Sequence, residues 1–156
     1  MDEAASGHAL FAYGSLQVEE VMEAVTGRRF IGRPATLPGH RRRLLYGCTY
    51  PGVVADEVES TPGVLFEGLA ASDLEILDLF EGEPYERRRL QLEVVAPVRA
   101  RSTAFVYVVR DDRASLMSAT AWDLATFRER SLATFLEQCH AFRREALRGG
   151  RWTRPD

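Results

Sequence analysis

His8-Ala9-Leu10-Phe11-Ala12-Tyr13-Gly14-Ser15-Leu16-Gln17 is the stretch on which the reading of this chain turns. The apolar run from His8 to Tyr13 stops abruptly at Gly14-Ser15, the pattern of a buried strand entering a tight loop. Beyond it, Val18, Val21, Met22 and Val25 recur at i, i+3, i+4 and i+7, the spacing of one helix face, and Gly27 stands where that helix should end. Glycine permits backbone conformations closed to other residues, and a loop entering a helix leaves N–H groups without partners. Such donors suit a carboxylate or an oxyanion. Taken alone, an ordinary strand-to-helix turn is the better account of these residues.

Outward from this stretch, residues 28–54 read as short β-type runs punctuated by Pro34, Pro38, Gly39, Gly47, Pro51 and Gly52, and residues 63–69 read as another strand. Ser72 and Glu75 fit the S-x-x-E capping box and predict a short helix from Asp73 to about Glu81, stopped by Gly82 and Pro84. Leu90, Leu92 and Val94 alternate as in a half-buried strand, and residues 103–109 are apolar enough for a central one. The tail, residues 122–147, is predicted helical, with Trp122, Ala125, Leu132, Phe135, Leu136, Cys139, Phe142 and Ala146 on its apolar face; a break near Ser131 is left open. Strands do not alternate regularly with helices, which argues against a doubly wound parallel sheet. A curved mixed sheet or small barrel with flanking helices, an α+β fold, fits better. With no repeat or linker, residues 1–156 read as one domain with its core at about 8–148.

Composition narrows the function. Hydrophobic residues at 46% and charged residues at 28% describe an ordinary globular chain and exclude a disordered one. A formal net charge of −3 offers no long-range attraction for nucleic acid or an anionic membrane, so a small-molecule partner is expected. All 20 positive side chains are Arg, with no Lys and no Asn, which points to a GC-rich, bacterial coding origin. Residues 1–7 are polar and acidic, unlike a signal peptide, and no run reaches the ~20 apolar residues of a membrane span. A cytoplasmic, reducing setting is therefore expected. Cys48 and Cys139 form no CxxC pair; a disulfide between them is neither demanded nor excluded.

Among groups able to do chemistry, Glu81 stands out. It lies seven residues after Leu74 and four after Leu77, so a helix would set it between apolar positions near its C-terminus. Desolvation and the helix dipole both disfavour an ionised carboxylate there, which suits a general base working near neutrality. The competing reading, which the local sequence favours, is an ion pair with Arg87, Arg88 or Arg89. Asp78 shares part of the same face and is the rival base, while Asp73, Glu75, Glu83 and Glu86 read as capping or solvent-facing charges. His8, His40 and His140 lack ligand spacing, so no metal is expected, and no P-loop, GxGxxG or GxSxG occurs. In strands, Arg41-Arg42-Arg43 and Arg87-Arg88-Arg89 would point alternately to opposite faces, solvated or paired, rather than form a nucleic-acid patch.

Together these features resemble a known family. Phe11-Ala12-Tyr13-Gly14-Ser15-Leu16 resembles the signature loop of the γ-glutamylcyclotransferase-like superfamily, and Leu77-Asp78-x-Phe80-Glu81-Gly82 followed by Tyr85-x-Arg87 resembles its second signature. Tyr50-Pro51-Gly52-Val53-Val54, Gly63-x-Leu65-Phe66, Tyr107, Trp122 and Phe127 agree in kind and order, so the resemblance spans roughly residues 10–142. It is strongest to the short bacterial and plant branch related to the avirulence-induced plant proteins. The resemblance implies a small mixed β-barrel with flanking helices, a C-terminal helix, a side cavity and no cofactor. It implies that Tyr13, Gly14, Ser15, Leu16 and Gln17 bind the α-carboxylate of a γ-glutamyl group through backbone N–H donors. It makes Glu81 the acceptor of a proton from the substrate's α-amino group, which then attacks the γ-carbonyl, closes 5-oxoproline and expels an amine. Tyr85 and Tyr107 would line the cavity, and Pro51 and Gly52 its entrance. The leaving amine is not identified, and a non-catalytic binding module of the same fold is the alternative.

Overall fold

The alternating runs become strands β1 (His8–Ala12), β2 (Gly32–Leu44), β3 (Pro51–Leu69), β4 (Tyr85–Val94) and β5 (Ala100–Val109), which close into a barrel in the order β1-β3-β2-β4-β5. Neighbouring strands are antiparallel except β1 and β5, which run parallel and meet at Leu10 and Phe105. The structure is a computed structural model and describes residues 7–149; the polar opening, residues 1–6, lies outside the described residues.

Because successive strand residues face opposite ways, the core divides in two. Phe11, Tyr13, Leu37, Val53, Leu65, Leu92, Val106 and Val108 fill the barrel. Their chain neighbours Leu10, Ala12, Phe66, Tyr107 and Val109 face a helical layer instead. That layer consists of α1 (Glu19–Thr26), α2 (Ala71–Glu81), α3 (Leu124–Arg130) and α4 (Leu132–Leu147). Phe80 of α2 meets Phe135 and Phe142 of α4 edge-on, with centroids 6.1 and 5.2 Å apart. Each such buried ring is worth about 1.5–3 kcal/mol, so the helices are integral to the fold. No helix among the described residues is long and apolar enough to cross a membrane. Cys48 and Cys139 are not joined in a disulfide.

Several local expectations change. The short runs expected over residues 28–54 are parts of two long strands, and residues 63–69 are the far end of β3. Pro34 and Pro38 do not break β2, which pairs along its length with β3 but with β4 only at Ala35 and Thr36. A strand largely bare on one side tolerates residues without an N–H. The capping box is also displaced. Asp73, not Ser72, closes the start of α2: its Oδ2 accepts the Ala70 N–H at 2.8 Å and the Arg28 guanidinium at 2.6 Å.

The tail does break at Ser131. Phe127 and Phe135 are eight residues apart, a rise of about 12 Å on a straight helix, yet their rings lie 5.3 Å apart, so the axis must turn between them. A second bend positions the site. The β2–β3 ladder jumps from Pro38–Ser60 to His40–Ala55. The extra β3 residues form a bulge in which Asp56 Oδ1 accepts the Val58 and Glu59 N–H groups at 2.8 and 2.9 Å. A bulge bends its strand, and beyond it the Pro51 end of β3 lies against Gly14, just past β1.

Candidate active site

After β1 the chain passes through Tyr13 and Gly14 into a single 3-10 turn, Ser15–Gln17. Three contacts hold this loop. The Tyr13 hydroxyl donates to the Tyr107 carbonyl on β5 at 2.6 Å. The Tyr13 carbonyl accepts from Arg42 Nη1 at 2.8 Å and from Gln17 Nε2 at 2.9 Å. Finally, the Pro51 ring packs on Gly14, where a Cβ would come within 2.9 Å of Pro51 Cγ and Cδ. Close approach, rather than a special φ, is what demands glycine here. The N–H groups of Gln17 and Val18 go to the Gly14 and Ser15 carbonyls at 3.1 and 3.0 Å. Those of Gly14, Ser15 and Leu16 have no acceptor among the described residues, although Ser15 and Leu16 are buried.

Opposite the loop, Glu81 is the last residue of α2. Gly82 follows with φ 78° and ψ −166°, a conformation open in practice only to glycine, and its N–H reaches the Asp78 carbonyl at 3.0 Å. The helix therefore stops with Glu81 at its end. Asp78, one turn earlier, is differently placed. Arg87 grips it with Nε at 2.8 Å and Nη2 at 3.0 Å, and the Tyr107 hydroxyl donates to it at 2.7 Å. Arg88 turns to Glu86, and Arg89 stacks on the Phe105 ring at 4.8 Å. Each of the three arginines expected to pair with Glu81 thus has a contact with another group. Burial holds the Tyr107 phenol far above its ordinary pKa, reinforced by the hydrogen bond to Asp78 and the negative charges of Glu81 and Asp78. Tyr107 keeps its proton and commits it to Asp78.

Between the two sides lies a half-open pocket. Of the residues expected at a site, Tyr13, Gly14, Ser15, Leu16, Pro51, Glu81, Tyr85 and Tyr107 border it, together with Phe11, Ala12 and Tyr50. The wall therefore draws on both cores, Phe11 and Tyr13 from the barrel interior and Leu16, Tyr85 and Tyr107 from the helix side. The Tyr85 hydroxyl donates to the Pro51 carbonyl at 2.8 Å, fixing the rim.

Gln17 and Gly52 are not in this wall. The Gln17 side chain turns back to Tyr13, and its N–H is already used. At Gly52 a side chain would strike Val109, so the glycine lets β3 lie close against β5 rather than opening an entrance. Arg42 was hidden in a triplet. Arg41 and Arg43 point to Asp56 and Glu59 on one side, whereas Arg42 points to the loop, with its guanidinium 5.1 Å from the Trp122 ring centre. Strand alternation in the triplet was the available signal. Tyr50 belongs to a stretch that agrees with the family pattern, but nothing local marked it as a wall residue, nor the tie between Tyr107 and Asp78.

Comparison with known proteins agrees with this fold. AIG2-like protein D of Arabidopsis thaliana is 26% identical over 140 residues, covering 88% of this chain and 90% of the relative. An Arabidopsis thaliana protein solved in solution is 25% identical, with a TM-score of 0.66 over 91% of this chain and 83% of its own. A yeast γ-glutamyl cyclotransferase specific to glutathione shares the fold, with a TM-score of 0.57 and 12% identity over 89% of this chain and 96% of its own. The family described as gamma-glutamyl cyclotransferase, AIG2-like matches residues 10–124, the span that holds β1 through β5, the loop after β1 and Glu81. By that match the chain belongs to the gamma-glutamyl cyclotransferase, AIG2-like family.

Proposed function

We propose that the chain is a γ-glutamylcyclotransferase, converting a γ-glutamyl amine or amino acid to 5-oxoproline and the free amine. The observation that carries this reading is that Glu81 and the loop of residues 13–16 border one pocket. In it, the N–H groups of Gly14, Ser15 and Leu16 receive the substrate's α-carboxylate. Glu81 removes a proton from the α-ammonium. The freed nitrogen attacks the γ-carbonyl carbon and gives up a second proton as the ring closes, the bond from that carbon to the departing nitrogen breaks, and both protons, the first carried by Glu81, leave on the departing amine as its ammonium. Nucleophile and electrophile belong to one molecule, so holding it in a ring-like pose supplies much of the rate. Tyr85 and Tyr107 shape the wall. The step consumes no water and calls for no cofactor. Cys48 and Cys139 are not joined in a disulfide, which accords with a cytoplasmic, reducing setting.

The test is a panel of γ-glutamyl amines followed for 5-oxoproline, with wild type beside Glu81→Gln. Product from wild type and a loss of about 100-fold or more in kcat for the variant are expected for a general base. Equal product from both proteins would refute the mechanism. Ligand-dependent stabilisation of wild type without turnover would instead identify a binding module.

A further inference from the structure

We infer that Arg42 is a positioning residue, turning the Tyr13–Gly14 peptide so that its N–H faces the substrate carboxylate. The inference rests on the proposed reading of the pocket as a γ-glutamyl site. In a trans peptide the carbonyl and the next N–H point in opposite directions, and the described chain has its cis peptide elsewhere, at Ala96–Pro97. The Tyr13 carbonyl is drawn away from the pocket by Arg42 Nη1 at 2.8 Å and Gln17 Nε2 at 2.9 Å. Whatever pulls that carbonyl one way presents the Gly14 N–H the other way, and Gly14 borders the pocket.

Arg42 is itself held in place. The same Nη1 reaches the Pro62 carbonyl at 3.3 Å, and its guanidinium lies over the Trp122 ring. Trp122 in turn donates its indole N–H to the Thr49 carbonyl at 2.9 Å, beside the pocket residues Tyr50 and Pro51. The neighbouring Arg41 and Arg43 both end on carboxylates, those of Asp56 and Glu59. The Arg42 guanidinium instead donates to the backbone carbonyls of Tyr13 and Pro62. A charged donor to a carbonyl is among the stronger hydrogen bonds. Without it the peptide can rotate, and the negative end of the carbonyl would then face the carboxylate it is meant to receive. Gln17, expected to touch substrate, becomes the second holder of the same carbonyl.

The experiment compares γ-glutamyl-alanine with 4-aminobutanoyl-alanine, the same molecule without the α-carboxylate. For Arg42→Met, kcat/KM on γ-glutamyl-alanine should fall about tenfold, mainly through KM, while the decarboxylated substrate stays within about twofold of wild type. Arg42→Lys should recover part of the loss. Gln17→Ala, a milder change, should act in the same direction by about threefold, and it decides the matter alone if Arg42→Met does not fold. Equal losses on both substrates, or no loss on either, would overturn the positioning role while leaving the cyclotransferase reading intact. A wild-type protein that forms no 5-oxoproline would overturn both.

Discussion

The two sides of the pocket are built from different materials. The loop side is backbone: N–H groups of residues 14–16, with Gly14 wedged under the Pro51 ring. The acid side is side chains: Glu81 at a helix end, with Asp78, Arg87 and Tyr107 tied together beside it. A surface made of backbone can be disturbed only by altering what holds or crowds it. One made of side chains can be disabled atom by atom with the fold intact. The difference also separates two carboxylates on one helix. Asp78 is held by a guanidinium and a phenol and serves structure, whereas Glu81 borders the pocket.

The largest expected effect is on the acid side. Glu81→Gln should abolish most turnover, as above, yet change the unfolding free energy in urea by no more than about 0.5 kcal/mol. A variant that loses activity only because it unfolds would erase the distinction between the two sides. On the loop side stability and binding should fall together. Gly14→Ala should raise KM and cost about 1–3 kcal/mol by overpacking. Adding Pro51→Ala should return part of both losses in a double-mutant cycle, and strict additivity would mean the ring contact is not the cause. Smaller is Tyr85→Phe, which leaves the Pro51 carbonyl without its 2.8 Å donor and should cost about 0.5–1.5 kcal/mol in urea unfolding. A larger effect on KM than on kcat is expected, because the rim moves rather than the base.

The smallest effect concerns pH and the scaffold behind the loop side. Backbone N–H groups of Val58 and Glu59 hold the Asp56 carboxyl below its ordinary value, and Thr126 does the same for Asp123. The Arg43 guanidinium acts likewise on Glu59. For a depressed carboxyl the unfolded chain binds the proton first. Its stabilisation is therefore present above the ordinary carboxylate pKa and is lost as pH falls through the folded value. The melting temperature should stay flat from pH 7 to 5 and drop below about pH 4. Asp123→Asn should make that drop shallower. A melting temperature rising into acid would contradict the assignment.

Much of this was legible in the sequence where residues carry local physics. The β1 run, the i, i+3, i+4, i+7 face of α1 and the Gly27 stop needed no tertiary information. Glu81 and the Gly14 loop could be paired because both belong to motifs recognised in order. What stayed hidden depends on partners distant in sequence. Pro34 and Pro38 read as breakers because nothing local reveals that β2 lacks a continuous β4 neighbour. Gly52 read as an entrance because Val109, the residue that excludes a side chain there, lies on another strand. Strand alternation set Arg42 apart from Arg41 and Arg43, but only the register of β2 on β3 decides which arginine meets Tyr13. Ser72 outranked Asp73 as a cap by pattern alone, without sight of Arg28.

The packing of Pro51 on Gly14 has a hereditary side. Positions 14 and 51 are remote in the gene but share one volume, so neither can drift freely. A lineage could acquire a side chain at 14 only after giving up the ring at 51, and it would pass through a looser rim on the way. Among sequences that keep this pocket, the two positions should therefore change together or not at all.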